Sequence, residues 1–193
     1  ASVTLRRNES IDPSRRLFAV EFDAALAQPV TADAELIGRA RDRGALGCAA
    51  QALGLAQRMI DLSVNYTSER KQFGKLIGSF QAVKHHMSNA AVQLEYARAP
   101  VYRAAWSLAN GHADAARHVS HAKLAACEAA ALAAKNSIQV HGAMGYTWEV
   151  DLHLYMKKAW ALAGAWGDTG FHKQRIAGAL FDEGIALGAG ATF

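Results

Sequence analysis

The chain has 193 residues, of which 51% are hydrophobic, and its formal net charge is +4. This length suits one domain with a substantial core. The sequence has no apolar run of about eighteen residues, so it predicts no transmembrane helix and no membrane insertion. Lysines and arginines are scattered among acidic residues, whereas nucleic-acid binders usually concentrate them on one face. The composition therefore disfavours a nucleic-acid partner, and the mild positive excess weakly suits an anionic small molecule.

The first residues lack the apolar core of a signal peptide. The two cysteines, Cys48 and Cys127, are isolated on predicted helices, and they make neither a disulfide framework nor a zinc site. Reduced core cysteines are typical of a cytosolic protein. We therefore expect a cytoplasmic location for a bacterial protein, or the mitochondrial matrix for a eukaryotic one.

The N-terminal residues predict two strands. Val3-Thr4-Leu5 is rich in strand-forming residues, and 16–22 places alternate apolar residues on one face. The segment 8–13 between them has turn chemistry. Two strands do not make a stable sheet alone. We therefore interpret 1–30 as the remnant of a larger middle β-domain.

After Pro29 the pattern becomes helical. Thr31 or Asp33 can cap a first helix that runs to about Arg70. A second helix starts near Phe80, and Asn110-Gly111 ends it. The pattern places these residues on the inward faces: Leu46, Ala50, Leu53, Gln57, Ile60 and Val64 in the first helix, and Val83, Met87, Ala90, Leu94, Ala97, Val101 and Leu108 in the second.

A third helix is predicted from about Ala113 to Val140. Leu124, Cys127, Ala131, Ala134 and Ile138 are its expected inward residues. Glycines then break the pattern before a fourth helix, roughly Glu149 to Ala163, and a shorter fifth helix that starts near Thr169.

Long helices with one apolar stripe and short connections bury that stripe against each other. The predicted fold is therefore an all-α, up-and-down four-helix bundle over 31–182, preceded by the two strands, with a loosely ordered tail over 183–193. One bundle core should bury six large residues: Leu53, Ile60, Leu94, Val101, Leu124 and Ile138.

Two segments are unusual for a bundle. The first, residues 70–81, places an arginine and an aromatic residue in the loop between the first two helices. A cation at a helix end complements the helix dipole, but that explanation does not account for Phe73-Gly74. The second, residues 139–149, has glycines that break a long helix, then aromatic residues that lead to Glu149. Glu149 can be an ordinary acid at a helix start, although glycines beside aromatics also suit a flat ligand.

Together the two segments resemble the acyl-CoA dehydrogenase family. The first matches as Tyr66-x-x-x-Arg70-x-Gln72-Phe73-Gly74, followed by Phe80-Gln81. The second matches as Gln139-x-x-Gly142-x-x-Gly145-Tyr146 with Glu149. Their order, their separation of about 70 residues and the preceding strands all agree with this family. The resemblance covers the chain from about Ser10 to at least Ala163.

The resemblance implies an FAD-dependent oxidoreductase of β-oxidation that converts an acyl-CoA thioester to the trans-2-enoyl-CoA. Glu149 falls on the position that many members use for the base that removes the α-proton. Eight positions are expected to contact FAD: Arg70, at the pyrophosphate of a neighbouring subunit, Gln72, Phe73, Gln81, Gln139, and the backbone of His141, Gly142 and Ala143. Members pass electrons to an electron-transfer flavoprotein, and a homotetramer is expected.

Several positions depart from the family pattern. Ala143 replaces a second glycine, Lys157-Lys158 replaces an Arg-Asp pair, and a Glu-Gly-Thr turn is matched only loosely by Gly167-Asp168-Thr169. Members that place the base on the first bundle helix would have it near Gly44, which has no side chain to serve. A non-catalytic or FAD-sharing partner subunit of a heteromeric dehydrogenase is therefore an alternative, although Glu149 argues against it. The chain alone should be inactive and bind FAD poorly.

A metal carrier or scaffold is a third alternative. His118 and His121 share one helix face, but di-iron bundles need Glu-x-x-His pairs, and the sequence has none. His118 and His121 are therefore predicted to be surface histidines, and no metal site is expected. His85 and His86 should point to different faces.

Overall fold

The computed structural model describes residues 2–182, so the predicted tail at 183–193 lies outside the described residues. At the N-terminus, strand β1 (Ser2–Arg7) pairs antiparallel with strand β2 (Phe18–Asp23), with Arg7 opposite Phe18. A short 3-10 turn, Pro13–Arg15, lies in the connection. Both predicted strands are confirmed. Phe18, Val20 and Phe22, the alternating apolar side chains of β2, are exposed in this chain.

Five α-helices follow, and their order matches the prediction. They are α1 (Ala34–Glu69), α2 (Gln81–Ala109), α3 (Ala115–His141), α4 (Leu152–Ala163) and α5 (Thr169–Ala177). Between α1 and α2 lies a small hairpin of β3 (Lys71–Gln72) and β4 (Lys75–Leu76), with a 3-10 turn at Ile77–Ser79. Among residues 2–182, no helix has both the length and the hydropathy to cross a membrane.

Local chemistry explains the helix ends. The Asp33 carboxylate accepts hydrogen bonds from the backbone N–H groups of Glu35 and Leu36, which α1 leaves without helical partners. Asp168 caps α5 in the same way through Phe171. The fourth helix begins at Leu152 rather than near Glu149, because a 3-10 turn at Gly142–Tyr146 and a bend occupy the intervening residues.

The long helices pack as a bundle. Helices α1, α2 and α3 contact one another, α4 packs against α1 and α3, and α5 packs against α3. The predicted four-helix bundle is confirmed. Its core is built largely from small side chains, so the helix backbones can approach closely. Alanines dominate it, with a few larger residues such as Met59, Leu94, Val101 and Leu152 between them.

The predicted inward faces of α1 and α3 are partly wrong. Ala50 and Val64 on α1, and Ala131 on α3, are exposed. The buried α1 stripe instead contains Ala45, Ala49, Ala52, Ala56, Met59 and Ser63. The prediction gave most weight to the large apolar residues, whereas close helix contact requires small ones at the interface. Leu46 therefore lies at the flank of the core, where it is only partly buried.

Four of the six predicted core residues are buried: Leu53, Ile60, Leu94 and Val101. Ile138 is partly buried against the core, and Leu124 is only partly buried. The face of α3 that contains Ala122, Ala126 and Ala133 occupies the position expected for Leu124.

The β1–β2 connection is attached to α4. The Lys158 ammonium lies 3.1 Å from Asp12 Oδ2 and donates to Ser14 Oγ at 3.0 Å. Arg15 donates to the carbonyl of Ala161 near the end of α4. Desolvation of Asp12 raises its pKa, but hydrogen bonds from Ser14 and Lys158 and the Lys158 charge outweigh it, so the pKa is lowered. The hairpin is thus fixed on the bundle by a partly buried ion pair and hydrogen bonds.

Candidate functional site

A cleft of about 590 Å³ lies at the end of the bundle where α1 and α3 terminate. The short connections from α1 to α2 and from α2 to α3 each reverse the direction of the chain. Helices α1 and α3 therefore run in the same direction and end at the same end of the bundle. The cleft brings the two unusual sequence segments into one site. Its lining residues are Tyr66, Arg70, Gln72, Phe73, Ile77, Phe80, Ala82, Val83, His86, Gln139, Val140, His141, Gly142, Ala143 and Met144.

One wall of the cleft is the β3–β4 hairpin. Its two turn residues, Phe73 and Gly74, both have positive φ, at 54° and 77°. Glycine adopts this conformation freely, but an aromatic residue is strained there. The Phe73 side chain is 90% exposed and lies edge-on to Phe80, 6.2 Å between ring centroids. The hairpin therefore presents a strained, solvent-exposed aromatic ring at the cleft.

Arg70 supplies a positive charge at the same wall. Its backbone is held on both sides, because its N–H donates to the Tyr66 carbonyl and its carbonyl accepts from Ile77, both at 2.9 Å. Its side chain is exposed, and within residues 2–182 it forms no ion pair with an acid. A fixed backbone with an uncompensated guanidinium is suited to binding an anion such as a phosphate.

The opposite wall is the end of α3. Gly142 ends the helix with φ 58° and ψ −136°, a conformation that essentially only glycine adopts. Gly145 is needed for a different reason, since a Cβ there would lie 2.9 Å from the Ile138 carbonyl oxygen. The two glycines together let the chain turn sharply and pack back on α3.

An aromatic stack connects the two walls. The Tyr66 and His141 rings lie 4.3 Å apart with a 17° angle between their planes. His141 is buried, and its Nδ1 lies 2.7 Å from the Ser137 carbonyl oxygen. Burial lowers the pKa of His141, although the hydrogen bond to Ser137 partly opposes this. The imidazole is therefore neutral at neutral pH.

Seven of the eight predicted cofactor residues line this cleft: Arg70, Gln72, Phe73, Gln139, His141, Gly142 and Ala143. The eighth, Gln81, is exposed at the first residue of α2 and does not line the cleft, although its neighbours Phe80 and Ala82 do. The sequence interpretation did not assign His86, Val83 or Met144 to the site. His86 and Val83 follow Phe80 at helical spacing, and this spacing could have identified them.

Glu149, the predicted catalytic base, lies outside the cleft. It is exposed in the bend before α4, next to Trp148, which is 77% exposed, and near Tyr146, which is 80% exposed. The Lys157 ammonium lies 3.7 Å from the centroid of the Trp148 ring, in a cation–π contact. Within the described chain these rings do not enclose the carboxylate.

The opposite end of the bundle contains a second group of contacts, around Trp166. This residue has φ 58°, and its indole lies directly over Gly44, where a Cβ would be 2.3 Å from the ring. The buried Lys123 ammonium caps the end of α4 by donating to the carbonyls of Leu162 and Ala163, and it also donates to the Gly167 carbonyl in the loop that follows. The Trp166 ring therefore covers Gly44, and a side chain at this position would collide with the ring.

The prediction of surface histidines is wrong for His118. It is buried, and its Nδ1 lies 2.8 Å from Ser107 Oγ, because the start of α3 packs against the end of α2. His121 is exposed, as predicted. His85 is exposed and His86 partly buried. Among residues 2–182, no group of three or more His, Cys, Asp or Glu residues could hold a metal ion.

Residues 35–181 match the profile of the acyl-CoA dehydrogenase C-terminal domain. The chain belongs to the acyl-CoA dehydrogenase family. It is 39% identical over 150 residues to acyl-CoA dehydrogenase IpdE2 of Mycobacterium tuberculosis, a match that covers 78% of this chain and 43% of that protein. It is 41% identical over 105 residues to the CarC subunit of the caffeyl-CoA reductase–Etf complex of Acetobacterium woodii, covering 54% of this chain and 27% of CarC.

The fold agrees with this assignment. Butyryl-CoA dehydrogenase of Megasphaera elsdenii superimposes with a TM-score of 0.85 at 25% identity, covering 92% of this chain and 48% of that one. The chain thus spans less than half the length of the relatives it matches, and it contains the C-terminal domain of an acyl-CoA dehydrogenase.

Members of this family are flavoproteins, and the cleft fits part of a flavin dinucleotide. Its uncompensated Arg70 suits an anionic pyrophosphate, and its walls are largely aliphatic and aromatic, which suits a flat ring. Gly142 lets the backbone approach the ligand, since nothing lies within 4 Å of the position a Cβ would take.

Proposed function

We propose that the native protein is an FAD-dependent acyl-CoA dehydrogenase and that this chain supplies its C-terminal helical domain. The observation that carries the proposal is the cleft, where seven residues from two distant segments surround one site. Arg70 would bind the pyrophosphate of the FAD molecule that belongs to a neighbouring subunit. Phe73 and the backbone around Gly142 would contact the nucleotide.

The proposed reaction removes two hydrogens from an acyl-CoA thioester and yields the trans-2-enoyl-CoA. Glu149 would take the α-proton, while the β-hydrogen leaves with both electrons of its bond. FAD, when bound, supplies the hydride acceptor. A carboxylate must lie against this α-proton, because a proton α to a thioester is only weakly acidic. Because the cleft is proposed for the nucleotide end of FAD, the base need not line it.

The electrons would then pass to an electron-transfer flavoprotein. The relative CarC supports this partner, since it is named as a subunit of a complex with Etf.

The exposed apolar face of β2 supports the interpretation that 1–30 belongs to a larger β-domain, which would complete the flavin site. The chain alone should therefore bind FAD poorly and be inactive. We place the native enzyme in the cytoplasm of a bacterium or the mitochondrial matrix of a eukaryote.

We also propose that the native protein is a homotetramer or a heteromer with a related subunit. The outer face of α2 carries large exposed side chains, among them Val92, Tyr96, Tyr102 and Trp106. Aromatic side chains of this kind are enriched in subunit interfaces. A strictly monomeric mass of the native protein at micromolar concentration would contradict this association.

The test of the cofactor site is the affinity of the native protein for FAD. Replacing Arg70 with Gln removes the charge expected at the pyrophosphate, and the dissociation constant should rise at least about tenfold. Arg58→Gln is the matched control, because Arg58 is an exposed arginine within α1 that, unlike Arg70 just after this helix, lies outside the cleft. Equal affinities of the two variants would show that the cleft is not the site.

The test of the base is Glu149→Gln in the native protein. General-base catalysis contributes about 10²–10⁴-fold, so turnover should fall at least about a hundredfold. Bound FAD should barely change, because Glu149 does not line the cleft. Flavin reduction by acyl-CoA at a rate near that of the unmodified protein would show that another residue is the base.

A second candidate function is that of a partner subunit that shares FAD but relies on another chain for the base. The contact of Trp166 with Gly44 favours it, because the Trp166 indole fills the space where a carboxylate at this position of α1 would lie. Under this alternative, Glu149→Gln leaves the rate unchanged. The activity would also require co-purification of a second, related chain.

A further inference from the structure

A second cavity, of about 600 Å³, lies between the last turns of α2, the turn that follows it and the first turns of α3. It is far from the cleft, because Arg103 in its wall is about 33 Å along the helix from the first residue of α2. Pro100 and Trp106 contribute apolar surface to the wall, and Arg103 and three histidines contribute polar groups. A concave, mostly apolar cavity with a few polar groups is typical of a small-molecule site.

His118 places an unpaired hydrogen-bond donor in the wall of this cavity. The residue is 7% exposed, and burial lowers its pKa to about 4, so the ring is neutral at neutral pH. Its Nδ1 lies 2.8 Å from Ser107 Oγ, which forms no other hydrogen bond within residues 2–182. The hydroxyl therefore donates to Nδ1, since the reverse direction would leave the hydroxyl hydrogen unpaired. Nε2 then carries the ring proton, and it is enclosed without a partner in the described chain.

Arg103 adds an uncompensated positive charge. Its side chain is exposed, it forms no ion pair with an acid of residues 2–182, and no described Asp or Glu lines the cavity. After burial, its charge is the largest cause of the lowered pKa of His118, so the guanidinium acts on this imidazole. Asp114, at the start of α3, is paired with Arg117 at 2.9 Å. A positive charge and an unpaired N–H therefore belong to the same cavity.

Aromatic side chains form the open side. The His112 ring lies 5.3 Å from the His118 ring and 6.0 Å from the Trp106 ring, between centroids. His112 is exposed in the turn between α2 and α3, so its side chain can rotate and admit a ligand to His118 Nε2 without a change in the helices. Trp106 is 59% exposed and offers a flat apolar surface to a bound molecule.

We propose that this cavity binds a small organic monoanion, a carboxylate attached to an aromatic or other apolar body. Arg103 pairs with the carboxylate, His118 Nε2–H donates to it, and Trp106 packs against the apolar body. A single negative charge fits because Arg103 is the only described lining residue with a permanent charge. The proposal does not depend on the flavin cleft, since the two sites share no lining residue.

A second copy of the chain is the competing occupant, because Trp106 also lies on the exposed face of α2 that we propose as a subunit contact. The shape of the site favours a small molecule. A buried N–H in the wall of a cavity can be reached by a ligand that enters it, whereas a flat contact between helices would leave this donor unpaired.

The experiment titrates the native holoprotein with 2-naphthoate and measures binding by calorimetry. For a ligand of this size the dissociation constant should be on the order of 1 mM or lower. Two comparison ligands separate the two parts of the site. The alcohol 2-naphthylmethanol has the rings without the charge, and acetate has the charge without the rings. Both should bind at least about tenfold more weakly.

Two variants locate the binding. Arg103→Gln removes the charge, and His118→Phe keeps a ring but removes the N–H, and each should weaken 2-naphthoate at least about tenfold. If His118→Phe does not fold, Arg103→Gln decides the result, because Arg103 is exposed. Arg98→Gln is the matched control, since Arg98 is on the same helix but outside the cavity, and its affinity should stay within about twofold.

The proposal is overturned if Arg103→Gln binds 2-naphthoate as tightly as the unmodified protein, or if 2-naphthylmethanol binds equally well. Tighter binding of the dianion 2-naphthyl phosphate would overturn the assignment of a carboxylate. Absence of binding would also overturn the proposal, and a lower native mass of Trp106→Ala would then assign the cavity to a second copy. FAD affinity should be unchanged in Arg103→Gln, so failure here leaves the proposed function standing.

Discussion

The two ends of the bundle use polar residues in opposite ways. At the α4–α5 end, several buried polar groups are paired within the chain, although His172 Nε2 has no hydrogen-bond partner among the described residues. Lys123 donates to three carbonyls, and Arg175 forms a bidentate pair with the buried Asp42, at 2.6 and 2.9 Å. At the cleft end, Arg70 is exposed without an acidic partner in residues 2–182, and Phe73 is strained and exposed.

This difference indicates what each end contributes. Buried polar groups with complete hydrogen bonding hold the helices in one arrangement, and removal of one partner is costly. Strain and uncompensated charge lower stability, and their presence at the cleft end supports the proposal that this end binds a ligand. Substitutions at the α4–α5 end should therefore change the free energy of unfolding, and those at the cleft end should change FAD affinity.

The largest expected effect is at Lys123. Lys123→Met keeps a similar shape but leaves the terminal carbonyls of α4 without their donor. The free energy of unfolding should fall by about 3 kcal/mol, measured by chemical denaturation. Lys135→Met, a change at an exposed lysine on the same helix, should cost less than about 0.5 kcal/mol. A loss at Lys123 no larger than this control would contradict the comparison.

The second effect concerns pH and His118. Burial, and then the charges of Arg103, His112 and Arg117, lower the pKa of His118 from its ordinary 6.5 to about 4. Between these values the unfolded chain binds the proton and the folded chain does not. The contribution of His118 to stability is therefore complete above about pH 6.5 and is lost as the pH falls towards 4.

The loss should be about 3 kcal/mol, measured as the free energy of unfolding between pH 7 and pH 4. The pKa values of His141 and His172 are also lowered by burial, so the informative quantity is the difference between the unmodified protein and His118→Phe. The variant should lose less stability over this range. Parallel curves would show that His118 does not titrate in this way.

The smallest effect should have the opposite sign. Phe73→Asn places Asn-Gly in a two-residue turn where both φ angles are positive, which is the favoured sequence there. Stability should rise by about 0.5 kcal/mol, while FAD affinity falls because the aromatic ring is lost. Gly74→Ala should lower stability by about 1 kcal/mol in the same turn. A Phe73→Asn variant that is less stable than the unmodified protein would mean that the ring contributes more to the fold than to the ligand.

Local sequence patterns are enough to predict the helices, the strands and the two segments of the candidate site. Capping by Asp33 and Asp168, the break at Gly142 and the helical periodicity are local properties, so the order of strands and helices followed from them. The Arg70 and Gln139 segments stand out in the sequence because neither fits the helical pattern around it.

Which side chains face inwards depends on the packing of the helices against one another. Periodicity fixes a helix face to within about one residue position, and in an alanine-rich helix two adjacent faces are both apolar. Close contact with the neighbouring helix selected Ala49 and Ala56 over Ala50 and Val64. The same contacts buried Lys123 and His118, because their partners lie 11 to 44 residues away along the chain, where no local pattern reveals them.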